Sequence, residues 1–141
     1  MHWAAKCGDV SILELLHKHG AALNDATEAE SRMRPIHWAA SDGKTTSLSY
    51  LINKGVEINT TDGAGCSPLL IAVQHNQINA AIFLIHHGAD ASALDNNGDS
   101  ITHWAAYKGH AEMLGYCVYV LPDTINATDH YGQVEYTRLG H

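Results

Sequence analysis

The tetrapeptide His-Trp-Ala-Ala stands at three places in this 141-residue chain: His2–Ala5, His37–Ala40 and His103–Ala106. Between the last two lies a block in the same register, Ser67-Pro68-Leu69-Leu70-Ile71-Ala72. His37, Leu70 and His103 are therefore spaced 33 and 33 residues apart. A period of this length marks a stack of short supersecondary units, none of which buries its apolar face alone, so that neighbouring copies share one continuous core. A stack of this kind is mostly surface, which favours binding over catalysis.

Each unit reads as a turn, a short helix, a second helix and a loop back to the next turn. In the second unit Pro35 suits the first position of a helix, where the missing N–H would have no partner anyway. Ile36, Ala39 and Ala40 fall at i, i+3 and i+4, an apolar stripe facing neighbouring helices. Gly43 ends this helix, Leu48, Leu51 and Ile52 stripe the next, and Gly55 supplies a left-handed residue beyond it. The third unit has Ser67 as N-cap, Pro68 at the helix start, Asn76 in place of the mid-unit glycine and Gly88 at the close. The fourth has Ser100 as N-cap and Gly109-His110 between its helices. Asp62…Gly65, Asp95…Gly98 and Asp129…Gly132 repeat one turn signal.

This order and period are those of the ankyrin repeat. The expected fold class is all-α, an ankyrin-repeat solenoid of paired antiparallel helices with turn and hairpin loops. The array is expected over residues 1–133: a partial repeat 1 at 1–26, repeat 2 at 27–61, repeat 3 at 62–94, repeat 4 at 95–128 and the start of a fifth at 129–133. Residues 134–141 depart from the Thr-Pro-Leu-His pattern and read as an atypical or disordered tail. Three irregularities stand out. No capping unit precedes His2. The loop Asp25–Arg34 carries two extra residues and, with Asp25, Glu28 and Glu30, could reach toward a ligand. Repeat 4 has Leu121-Pro122 where a closing glycine is expected.

Composition narrows the function. The net charge is −7 with only eight Lys and Arg, scattered along the chain. Nucleic acid demands a basic surface and is not expected as a partner; an acidic surface would sooner meet a basic or neutral protein. The longest apolar stretch, Met113–Leu121, is shorter than the ~20 residues that span a bilayer, and no charged-then-apolar leader opens the chain. We expect a soluble module that does not itself enter a membrane. Cys7, Cys66 and Cys117, odd in number and widely spaced, read as reduced thiols in a cytosolic setting. The sequons at Asn59 and Asn126 read as chance matches in turns.

The tryptophans are the strongest candidates for function. Trp38 lies one step from the Ala39/Ala40 stripe, and at 100° per residue it points from the core toward the concave face. Trp3 and Trp104 are equivalent, and Ile71 occupies that place in repeat 3. With helices 8–10 Å apart, the four would form an apolar row across a groove, a surface suited to proline or aliphatic side chains. The alternative is that each ring packs structurally on a neighbouring loop. Each tetrapeptide histidine is expected to bond adjacent loops. His17/His19 and His86-His87 lack partners at ligand spacing, so no metal is expected. Asp95-Asn96-Asn97-Gly98-Asp99-Ser100 has its glycine at the wrong place for a calcium loop. No nucleophile, base and orienter are arranged together, so no catalytic site and no cofactor are expected.

The repeated His-Trp-Ala-Ala resembles the N-terminal ankyrin domain of DHHC-type protein S-acyltransferases, the huntingtin-interacting and Akr-like palmitoyltransferases. Asp62-Gly63-Ala64-Gly65-Cys66-Ser67 is similar to that family's third-repeat turn. Asp95-Asn96-Asn97-Gly98, followed by His103-Trp104-Ala105-Ala106-Tyr107-Lys108-Gly109-His110, is similar to its fourth. The resemblance implies a module that recruits substrates by binding extended, proline-containing peptide segments, on the cytosolic face of a Golgi or endomembrane enzyme. It puts Trp38 against the proline. Cys7 stands where the family has an assisting polar residue, and Trp3, Ile71, Trp104 and Tyr107 complete the peptide-binding set. The Asp-His-His-Cys segment, its zinc-binding cysteines and the membrane helices are not in this sequence, so acyl transfer would reside downstream. The competing reading is a free-standing soluble ankyrin adaptor or scaffold unrelated to acylation.

Overall fold

Four short helices set the frame, and three of them begin on a proline or a capped turn. The computed structural model describes residues 1–27 and 30–120. The first helices of the successive units are α1 (His2–Cys7), α3 (Pro35–Ser41), α5 (Pro68–Gln74) and α7 (Ile101–Lys108). Their partners are α2 (Val10–Lys18), α4 (Thr45–Asn53), α6 (Ile78–His86) and α8 (Ala111–Val120). Among the described residues there is no strand. The protein is an all-helical solenoid.

Local chemistry explains where the helices start. Pro35 and Pro68 take the first turn of α3 and α5. The Ser67 hydroxyl accepts from the Leu70 amide at 3.3 Å, and that of Ser100 accepts from the His103 amide at 3.3 Å. The tetrapeptide histidine closes the cap from the other side. His37 Nδ1 accepts from the Arg34 amide at 3.0 Å, and His103 Nδ1 from the Ser100 amide at 3.1 Å. Histidine thus does the work of the glutamate in a capping box. The ends are equally local. Gly55, at φ 90°, carries the chain out of α4 while Val56 N–H donates to Leu51 O at 3.1 Å, a left-handed helix stop. Asn76, at φ 55°, does the same between α5 and α6 without a glycine.

Packing then joins the units. The first helices stack α1 on α3, α3 on α5 and α5 on α7, while α2 packs on α4 and α4 on α6. Small residues make the close approach possible: Ala4, Ala5, Ala39, Ala40, Ala72 and Ala105 are all buried. The second helices fill the rest of the core with Leu13, Leu48, Leu51, Leu84 and Met113. Burying each such side chain is worth roughly 1.5–3 kcal/mol. Polar bonds then fix the register between units. Thr46 Oγ1 donates to Gly8 O at 3.1 Å, Gln77 Nε2 to Ser41 O at 2.9 Å and His110 Nε2 to Gln74 O at 3.3 Å.

The turns form a second ladder. Asp62 Oδ1 accepts from the amides of Ala64 and Cys66, both at 2.9 Å, and Asp95 Oδ1 accepts from those of Asn97 and Asp99 at 2.9 and 3.0 Å. Gly63 N–H donates to Ser31 O at 2.8 Å and Asn96 N–H to Ala64 O at 3.0 Å, linking each turn to the one before. The long loop is tied back as well, by Thr27 N–H on Met33 O at 2.9 Å and by Arg34 on Asn24 O. Glu28, the Leu121-Pro122 departure, the Asn126 sequon, the fifth repeat and the tail at 134–141 lie outside the described residues. No described helix is long and apolar enough to cross a membrane.

Candidate peptide-binding groove

The first helices share one open face, and the candidate residues divide on it into two clusters and a gap. The first cluster sits between repeats 1 and 2. Trp3, on α1, is 75% exposed, and Trp38, on α3, is half-buried beside it. Together with His2 and Lys6 they line a pocket of about 240 Å³. The Lys6 ammonium lies over the Trp38 ring, 5.0 Å from its centroid. The two indoles meet there because α1 packs on α3 through Ala4, Ala5, Ala39 and Ala40, too small to hold the helices apart.

The second cluster belongs to repeat 4. Trp104 and Tyr107 meet edge to face with centroids 5.9 Å apart, and with Asp99 and His103 they line a pocket of about 150 Å³. Tyr107 is 71% exposed. The Trp104 indole N–H donates to Asp95 Oδ2 at 3.0 Å, and the Lys108 ammonium stands 6.0 Å from the ring centroid. This tryptophan is pinned by its own turn, as the structural reading expects, and it also lines the fourth-repeat pocket.

Ile71 corrects the expected row of four. It is only 5% exposed and belongs to the core. The helix that carries it, α5, is packed between α3 and α7, and an isoleucine is shorter than the indoles at the equivalent positions. The apolar surface is therefore interrupted at repeat 3. Cys7 is exposed at the end of α1 but does not line the Trp3–Trp38 pocket.

Three further titratable side chains, His37, Cys66 and His87, are held within the fold. His37 is fully buried, and its Nε2 faces the carbonyls of Thr60 and Cys66 at 3.1 and 3.0 Å, so that nitrogen carries the proton. Burial lowers its pKa below the usual 6.5, with the nearby Asp62 carboxylate partly opposing. Burial also pushes the Cys66 thiol up to about 11, leaving it protonated and a poor nucleophile at neutral pH. His87 stacks on Phe83 with centroids 4.0 Å apart and bonds its carbonyl at 2.8 Å. Among the described residues no three His, Cys, Asp or Glu side chains converge as metal ligands.

Three contributors escaped the sequence reading: Lys6, His2 as a pocket wall, and Asp95 as the clamp on Trp104. Lys6 had a local signal, since it lies three residues from Trp3 on one helix face. Its seat over Trp38 spans two repeats and had none.

With the stacked helix pairs and their open face in hand, the comparisons with known proteins are unambiguous about class. The chain belongs to the ankyrin-repeat family: the family model described as ankyrin repeats (3 copies) matches residues 1–95. Among its relatives, the palmitoyltransferase AKR1 of Lachancea kluyveri is 25% identical over 124 residues, covering 86% of this chain and 17% of that protein. The ankyrin repeat protein nuc-2 of Neurospora crassa is 31% identical over 116 residues, 81% of this chain and 11% of the relative. The probable E3 ubiquitin-protein ligase XBOS32 of Oryza sativa subsp. japonica is 32% identical over 112 residues, 79% of this chain and 23% of the relative. The chain thus spans less than a quarter of each of these relatives, and what it shares with all three is the ankyrin array. It resembles the ankyrin domains of palmitoyltransferases, and it is a protein–protein interaction module.

Proposed function

We propose that the open face of the first helices binds an extended, proline-containing peptide segment and recruits substrates to a DHHC-type membrane palmitoyltransferase. The Trp3–Trp38 pocket is the observation that carries this reading. Two indoles from adjacent repeats form a concave apolar seat, and an extended chain crossing the repeats can lay a proline ring against it. A proline ring is flat, rigid and weakly hydrated, so stacking it on tryptophan costs little conformational entropy. The relatives named as palmitoyltransferases support the context of acylation, and a place on the cytosolic face of Golgi or endomembranes is part of the same proposal. Tyr107 and Trp104 offer a second contact further along the peptide. A few such contacts are worth roughly micromolar affinity.

Titration calorimetry of the chain against a proline-containing substrate segment tests this. Trp38→Ala is expected to weaken binding at least about tenfold, the scale of a hot-spot aromatic, with the thermal midpoint checked in parallel. Trp3→Ala, a change at an exposed site, is expected to weaken it less while leaving the fold intact. Unchanged affinity in both variants overturns the reading. The soluble-adaptor alternative keeps the groove but not the enzyme; a native reading frame with no hydrophobic spans of ~20 residues and no Asp-His-His-Cys segment would favour it.

A further inference from the structure

The Trp3–Trp38 pocket has a charge character opposite to that of the molecule. The chain carries a net −7, yet the pocket walls are His2, Trp3, Lys6 and Trp38, with no carboxylate among them. Among the described residues no carboxylate pairs with Lys6, whereas Lys18 pairs with Glu14 on the outer helix α2. The Lys6 ammonium rests instead over the Trp38 ring, 5.0 Å from the centroid. A cation on a half-buried indole face is held modestly. A carboxylate arriving beside that face offers the ammonium an ion pair of comparable strength, and in drawing the ammonium aside it would open the ring for an apolar group. The fourth-repeat pocket also has a lysine over its indole, but the Asp99 carboxylate forms part of its wall, so the charge argument is confined to the first pocket.

We propose that the pocket between the first two repeats selects peptide segments in which an Asp or Glu side chain flanks the apolar anchor. Lys6 is then a specificity residue, pairing with the ligand carboxylate while Trp3 and Trp38 take the anchor. Partners are acidic at this point of the peptide even though the protein as a whole is acidic. The inference rests on the peptide-binding reading above and names the chemistry of its ligand.

Selection of a random octapeptide display library on the 141-residue chain tests it. Wild type is expected to enrich Asp and Glu next to the apolar anchor by roughly two- to fivefold, the scale of one exposed ion pair. Lys6→Met keeps side-chain length and helix propensity and is expected to lose that acidic preference, whereas Lys6→Arg keeps it. The preference should also shrink in 1 M salt, where the screening length falls to about 3 Å. Absence of acidic enrichment on wild type, or its persistence on Lys6→Met, overturns the proposal. If anchors are still lost on Trp38→Ala in that case, the groove reading stands and only the charge inference falls. If no peptide class is enriched on wild type, both fall.

Discussion

At the scale of single residues, two buried polar side chains do more than their number suggests. His37 holds three backbone groups at once: the Arg34 amide on Nδ1 and the carbonyls of Thr60 and Cys66 on Nε2. Protonating it puts a hydrogen on Nδ1, where the Arg34 amide already donates. Because its pKa is lowered in the folded state, the unfolded chain binds the proton more readily. This contribution to stability is complete above pH 6.5 and is lost as the pH falls below 6.5 toward the folded value, at up to about 1.4 kcal/mol per pH unit. Thermal unfolding between pH 7.5 and 5.5 should therefore fall more steeply for wild type than for His37→Gln; parallel slopes would refute it. Asp95 is the other case, accepting two turn amides and the Trp104 indole N–H. Asp95→Ala is expected to cost about 1–3 kcal/mol, read from denaturant midpoints, and to shift Trp104 fluorescence; an unmoved midpoint would show the clamp to be idle.

Among the elements, helices and turns are specified by different kinds of information. Ser67, Ser100, Pro35 and Pro68 mark helix starts within three residues of themselves, so they could be read in advance. The Asp-x-x-Gly turns could be read as turns, but not as a ladder, because their rungs join residues about 32 apart, as with Asn96 and Ala64. Two glycines separate the local from the tertiary requirement. Gly55 has φ +90° with nothing near a would-be Cβ, so Gly55→Ala meets only backbone strain, on the order of 1 kcal/mol. Gly65 has φ +79°, and a Cβ there would also strike Asn96, at its Oδ1 and 2.8 Å from its backbone nitrogen. Gly65→Ala should cost clearly more than Gly55→Ala, about 2 kcal/mol or above, because the next turn must move. Equal unfolding midpoints for the two variants would deny the ladder a role in stability.

For the whole molecule, the solenoid makes stability a matter of neighbours. Each repeat is held by its own helix pair and by the repeats beside it. Helix α5 packs against repeats on both sides, on α3 and on α7, whereas among the described residues α1 and α2 meet another repeat only through α3 and α4. Hydrogen exchange is expected to protect α5 more than α1; equal protection would mean the array unfolds as one unit. The same geometry sets the candidate site. The Trp3–Trp38 pocket exists only while repeats 1 and 2 are stacked, so loosening repeat 1 would weaken the peptide contact without touching either ring.

The sequence by itself determined the repeat period, the helix starts and stops, the alanine stripes and the outward direction of the tryptophans. All of these rest on spacing within a few residues, where helix geometry converts order directly into direction. Only the tertiary structure decided that Ile71 is covered, that Lys6 caps the Trp38 ring and that Asp95 ties down Trp104. These depend on side-chain reach and on which groups a neighbouring repeat or turn brings alongside. A period announces that the units stack, but the depth of each side chain and the charge of each pocket are settled only where two units meet.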